Sequence, residues 1–234
     1  MNLLYGLLRP DSGEIKIHGN RVTCTSPSVA ISHGIGMVHQ HFMLIPPFTI
    51  TENVVLGSEP IHIPPFLDYY KARKTVQEVA TKYGFKLDPD AKVESLSVGI
   101  EQRVEIVKTL FRGASILILD EPTAVLTPQE TDELFAILRT FKKEGKTIIF
   151  ISHKLNEVKA LCDHVCVLRN GKLVYNGKTS EHSVEALAEK MAASSERQKI
   201  YLAARKGDVS ATRAEITARW NAGARWPRPS TPMN

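Results

Sequence analysis

The stretch ILILDEPTAVLTPQE, Ile116 to Glu130, decides the fold. Four aliphatic residues run directly into two carboxylates, Asp120 and Glu121. A short apolar run that ends abruptly in polar residues reads as a strand buried on both faces whose end reaches solvent. An amphipathic helix is predicted next, from about Pro128 to Lys143, and then a second aliphatic run, Thr147 to Ile151, which ends in Ser152 and His153. One helical crossover joins the two strands, so they are parallel and their polar ends share one edge of a sheet. Ile35 to Val38 is a third such strand, ending just before Gln40. The expected fold is therefore α/β, a parallel sheet with helices on its faces, and ligands of such sheets gather at the carboxyl edge of the strands.

Outward from this centre the pattern is less regular. Residues 3 to 8 are mostly apolar and run into Arg9-Pro10-Asp11-Ser12-Gly13, a helix end followed by a turn. Glu14 to His18 alternates like a short strand, and Pro60 to Pro65 breaks the chain before a helical block from about Asp68 to Arg112. Within that block Ile100, Val104, Val107 and Phe111 are spaced four, three and four, which is one face of a helix. Val165 to Leu168 and Lys172 to Tyr175 read as a hairpin around Arg169-Asn170-Gly171.

Composition sets bounds on function. With 234 residues, 43% of them apolar, the chain can bury a core without disulfides, and its three cysteines fit a reducing compartment. No apolar run approaches the roughly 18 to 20 residues that cross a bilayer. The net charge of +5 is concentrated in residues 196 to 234, which hold eight Lys/Arg and three Asp/Glu, so the body is neutral and lacks the electrostatic footprint of a nucleic-acid binder. From about Ala192 onward Ala, Arg and Pro dominate and both tryptophans, Trp220 and Trp226, occur; residues 192 to 234 are expected to form a basic, weakly ordered tail, with an Arg/Trp arm for nucleic acid or a membrane surface as the alternative.

The strand ends carry the chemistry. Asp120 suits a hard cation such as magnesium, which takes oxygen ligands beside phosphate and water. Glu121, pointing elsewhere because side chains alternate along a strand, suits orienting or deprotonating an attacking water. An isolated Asp-Glu pair also fits a solvated strand end, and His153 also fits a cap for the helix after it. Leu96-Ser97-Val98-Gly99 opens the amphipathic helix, where unpaired amides, a hydroxyl and a glycine make an anion seat or a plain N-cap. Cys162, His164 and Cys166 read as a helix end passing into a buried strand.

Together, Met37-Val38-His39-Gln40, LSVGIEQRVEI at 96 to 106, ILILDEPTAVLTPQE at 116 to 130 and IIFISHKL at 148 to 155 resemble, in order and spacing, the nucleotide-binding domain of ABC transporters. The signature variant with Val98 and Ile100 looks most like the first ATPase half of the tandem importers for simple sugars or nucleosides. The resemblance covers residues 1 to about 191. It implies a P-loop NTPase-like sheet with an inserted α-helical subdomain at about 66 to 113, and ATP with Mg2+ as cofactors. It implies catalytic roles for Glu121, His153 and Gln40, nucleotide contacts from Ser97, Val98, Gly99 and Gln102, and metal contacts from Asp120 and Gln40. The implied partners are a second ATPase half and transmembrane permease subunits, the implied place is the cytoplasmic face of the membrane, and no nucleic acid is expected.

The family's phosphate loop, G-x-x-x-x-G-K-[ST], does not occur in the 234 residues. An incomplete chain that alone binds ATP poorly and hydrolyses little is therefore expected, with a nucleotide held by another subunit as the target of Ser97 and Gly99. Two rival readings are a non-catalytic remnant docked on a membrane subunit and a soluble ABC ATPase acting on nucleic acid.

Overall fold

A computed structural model describes residues 1–40, 42–63, 66–169, 172–192 and 199–204. His41, the Asn170-Gly171 turn and, apart from Lys199–Ala204, the tail beyond Ala192 with both tryptophans lie outside the described residues. The elements run β1 (Ile15–Ile17), β2 (Asn20–Val22), α1 (Pro27–Ser32), β3 (Ile35–Val38), α2 (Ile50–Val55), β4 (Ile61–Ile63), β5 (Phe66–Leu67) and α3 (Tyr69–Lys82). There follow α4 (Val98–Phe111), β6 (Ile116–Asp120), α5 (Pro128–Lys143), β7 (Thr147–Ser152), α6 (Leu155–Leu161), β8 (His164–Arg169), β9 (Lys172–Lys178), α7 (Val184–Ala192) and β10 (Lys199–Ala204).

Six strands form the main sheet in the order β3-β6-β7-β10-β8-β9. β3, β6 and β7 pair in parallel, with Val38 opposite Leu119 and Asp120 opposite Ile151. The expectation of a parallel sheet holds for these strands and for β8, which runs the same way. It is modified by β9 and β10, which are antiparallel to their neighbours. β10 lies inside the segment read as a tail, yet it pairs Ile200 with Ser152 on one side and with Val167 on the other. A strand in this interior slot satisfies the facing backbone groups of β7 and β8, which would otherwise be buried without partners.

Alternation along the strands builds two cores. Leu117, Leu119, Ile148 and Phe150 face α2, α3, α4, α5 and α6, while Ile116, Ile118, Ile149 and Ile151 face Ala30 of α1 and Ile17 of β1. Met1, Leu4 and Tyr5 pack on the second face from an N-terminal turn, so that face is closed by a hairpin and short helical pieces. The β1–β2 hairpin turns through His18 and Gly19, both with positive φ, as a two-residue loop between twisted strands requires.

α4 buries more than one stripe. Besides Val104 and Val107, Gln102, Glu105, Ile106, Thr109 and Leu110 are buried, because the helix is flanked by α2 and α3 and also by β3. Gly36 of β3 permits that approach: a Cβ there would stand 2.8 Å from Thr109 Cβ and 2.9 Å from Ala114 Cβ. The region 66–113 thus contains β5, α3 and α4, and Ala72, Val76, Val104 and Val107 within it join the same core as the sheet.

Candidate functional site

The carboxyl ends of β3, β6 and β7 lie side by side, and the residues just beyond them are Gln40, Glu121 and His153. Asp120, half-buried, ends β6. Glu121 has φ 48°, a left-handed conformation that costs a non-glycine residue about 1–3 kcal/mol and that structures retain where it serves a site. Its N–H donates to the Ile151 carbonyl at 2.9 Å, and its own carbonyl accepts from the Ala124 N–H at 3.1 Å. The chain therefore turns sharply and brings Glu121 Oε2 to 3.7 Å from His153 Nδ1. The carboxylate is 19% exposed and the imidazole 57%, so the pair stands at the rim of the sheet with the histidine open to a ligand.

This edge fits a hard cation next to phosphate. Asp120 and Gln40 offer oxygen donors from the ends of paired strands, and no group of three His, Cys, Asp or Glu occurs among the described residues. One or two protein oxygens, completed by phosphate and water, are what magnesium takes. Among the described thiols, Cys162 is buried at the end of α6 and Cys166 Sγ contacts Asn176 Oδ1 at 3.2 Å, as expected of a helix end passing into a strand.

The helix that opens at Ser97 is built differently from its reading in two places. Ser97 is the exposed N-cap, and its hydroxyl makes no capping bond to its own helix; Val98 is exposed beside it. These two remain available to an anion. Gln102 does not: it is 2% exposed and its side-chain amide donates to the Pro122 carbonyl, because at this turn the helix faces its own chain. Gln102 thereby ties α4 to the loop carrying Glu121. Gly99 is also buried, and a Cβ there would meet Glu130 Oε1 at 2.2 Å, so its lack of a side chain admits this chain's own Glu130. Glu130 caps α5 through the Thr127 N–H and hydroxyl, and those bonds hold its carboxyl below the usual range.

Sequence reasoning missed a polar lock behind the pair. Glu157 Oε2 accepts hydrogen bonds from the Thr123 hydroxyl at 2.7 Å and the Ser152 hydroxyl at 3.1 Å. Lys154 Nζ lies 3.2 Å from Glu157 Oε1 and donates to the Thr123 carbonyl at 3.0 Å. In the sequence Glu157 reads as an ordinary charge on a short helix, and no spacing signal marks it.

Residues 1–124 match the model of the ABC transporter family. The chain belongs to that family. The nucleoside import ATP-binding protein NupA of Lactococcus lactis is 49% identical over 191 residues, covering 82% of this chain and 38% of that protein. The guanosine import ATP-binding protein NupO of Bacillus subtilis is 49% identical over 172 residues, covering 74% of this chain and 34% of that protein. The ribose import ATP-binding protein RbsA of Bacillus subtilis is 36% identical over 191 residues, 82% of this chain and 39% of its own length. The chain thus spans less than half the length of these relatives. Among solved structures, a nucleotide-free ATP-binding cassette from an ABC transporter superposes with a TM-score of 0.69 at 23% identity, covering 80% of this chain and 78% of that one. CbiO1 from Clostridium perfringens gives 0.63 at 29% identity, covering 82% and 74%. The sheet and its flanking helices are those of a P-loop NTPase-type cassette, and no helix among the described residues is long and apolar enough to cross a membrane.

Proposed function

We propose that this chain is the ATP-hydrolysing component of an importer for simple sugars or nucleosides, acting at the cytoplasmic face of the membrane with a second ATPase half and transmembrane permease subunits. The observation that carries the reading is the Glu121–His153 pair at the carboxyl edge, with Asp120 at the end of the same strand. Kinship to nucleoside and ribose import proteins supports the substrate class.

In this reading Asp120 and Gln40 would hold Mg2+, which would supply positive charge against the phosphate oxygens. Glu121 orients the attacking water and accepts its proton. His153, exposed and 3.7 Å from Glu121, contacts the terminal phosphate and keeps the carboxylate aligned. Ser97 and the first amides of α4 face outward toward a nucleotide cradled by the phosphate loop of the partner half, where the helix N-terminus favours the anion. Along β3, Leu7, Met43 and Leu56 are exposed around a groove of about 300 Å³ that also includes Lys108 and Arg112, a surface of the mixed apolar and basic kind suited to a permease segment.

The test is an ATPase assay of the purified chain mixed with a complete, phosphate-loop-bearing half. Hydrolysis above the partner's own rate, lost on Glu121→Gln, is the expected result. A rate that never changes on mixing would leave docking without catalysis as the function.

A further inference from the structure

One carboxylate, Glu157, lies behind both members of the Glu121–His153 pair. Glu157 sits in the first turn of α6, where an acidic side chain ordinarily does no more than favour the helix N-terminus. Here it turns inward. Its side chain is 12% exposed, and a single oxygen, Oε2, receives the hydroxyl of Thr123, two residues past Glu121, and the hydroxyl of Ser152, one residue before His153. Thr123 and Ser152 are each 2% exposed, so neither hydroxyl has water as a substitute partner. The Ser152 oxygen in turn accepts the Lys154 N–H at 3.0 Å, fixing the residue after His153 as well. Lys154 closes the circuit from its ammonium to the Thr123 carbonyl and to Glu157 Oε1.

The loops after β6 and β7 are therefore joined to each other side chain to side chain, and the shared partner is Glu157. Removing Glu157 leaves the Thr123 and Ser152 hydroxyl protons without their acceptor at two buried positions, while the bonds from Lys154 to both residues remain. We propose that Glu157 is a positioning residue: by holding Thr123 and Ser152 on one oxygen it sets the spacing between Glu121 and His153. The lock is a property of this fold whatever the ligand; its consequence for catalysis rests on the proposed ATPase reading. Glu157 itself touches neither member of the pair through any of these bonds. It acts through the two hydroxyls.

Hydrogen exchange of the full 234-residue chain, followed by mass spectrometry, tests the lock without nucleotide. Glu157→Ala is expected to raise exchange in the loop 122–127 by about tenfold or more, the factor that corresponds to a coupling of about 1.4 kcal/mol. Thr123→Val is expected to raise exchange reciprocally at 152–155, and the double variant to add little to either. Should Glu157→Ala not fold, Glu157→Gln retains the packing and one acceptor oxygen and is expected to give a smaller change in the same loop. Exchange that rises only within α6, or additive effects of the two substitutions, would show Glu157 to be a plain helix residue and overturn the proposal. The readout a merely structural role would not move is kinetic: in the mixed assay with a complete half, Glu157→Ala is expected to lower kcat about tenfold with KM for ATP unchanged. If the unsubstituted chain adds no hydrolysis, the ATPase reading fails while the exchange result still decides the lock. If it does hydrolyse and kcat is unmoved by Glu157→Ala, positioning of the pair is refuted.

Discussion

The backbone N–H of Met43 donates to the buried Glu105 carboxylate at 2.9 Å, and Lys108 Nζ donates to the Met43 carbonyl at 3.2 Å. Two residues one turn apart on α4 thus grip both backbone polar groups of one residue, three residues past Gln40. The helix that begins at Ser97 and the segment that follows Gln40 are one mechanical piece. Glu105→Ala leaves the Met43 N–H and the Lys108 ammonium short of a partner in a site where Glu105 is 4% and Lys108 13% exposed. Stability is expected to fall by about 2 kcal/mol in urea titrations, and by less than half as much for Glu105→Gln, which keeps an acceptor.

The strand β10 is paired on both sides, so a proline anywhere in its middle deletes a ladder bond and collides with a neighbour. Leu202→Pro is expected to cost about 3 kcal/mol or more, read as a lower urea midpoint and a loss of exchange protection at Ile148 to Ile151. An unchanged midpoint would mean that the slot between β7 and β8 is not held by this segment.

What was legible in the sequence, and what was not, follows from how each element gets its structure. β6 and β7 were readable because both of their faces are buried and the sequence shows it as unbroken aliphatic runs ending in polar residues. Their shared edge followed from one crossover helix. β10 was not readable: a short run amid Ala and Arg owes its strand conformation to β7 and β8, which are distant in sequence. Pro60 to Pro65 read as a break, yet β4 and β5 pair across it. At the site, Asp120, Glu121 and His153 stand out in the sequence as polar residues at the ends of apolar runs, while the burial of Gln102 does not show, because the period of a helix does not say which neighbour faces it. Thr123, Ser152 and Glu157 gave no local signal, since their relation exists only after two loops meet.

The pH dependence of α5 follows from its capping box. The Thr127 N–H and hydroxyl hold the Glu130 carboxyl below its ordinary value, so the folded state binds this proton less readily than the unfolded chain. Its contribution is fully present above the unfolded pKa of roughly 4.3 and is lost as pH falls through the lower folded value. Thermal melts of Glu130→Gln against the natural chain are expected to differ at neutral pH and to converge in acid. A gap that widens in acid would reverse the sign.

Burial pushes the Cys162 thiol up to about 12 and raises Cys24 and Cys166 as well. Thiolate is the reactive form, so at pH 8 the native chain is expected to alkylate slowly with iodoacetamide, Cys166 before Cys162, with rapid labelling of all three only in denaturant. Peptide mass spectrometry over a time course checks the order. Cys162 reacting first would place α6 and its lock in a far more open state than the one described.

In the proposed assembly Ser97 and the first amides of α4 meet a triphosphate held by a partner half. Sedimentation velocity of the Glu121→Gln chain mixed with a complete phosphate-loop-bearing half, with and without ATP and Mg2+, tests it most directly. A heterodimer that forms with Mg2+ and ATP and disappears on Ser97→Arg is the expected result. A boundary that is the same with and without nucleotide would contradict it.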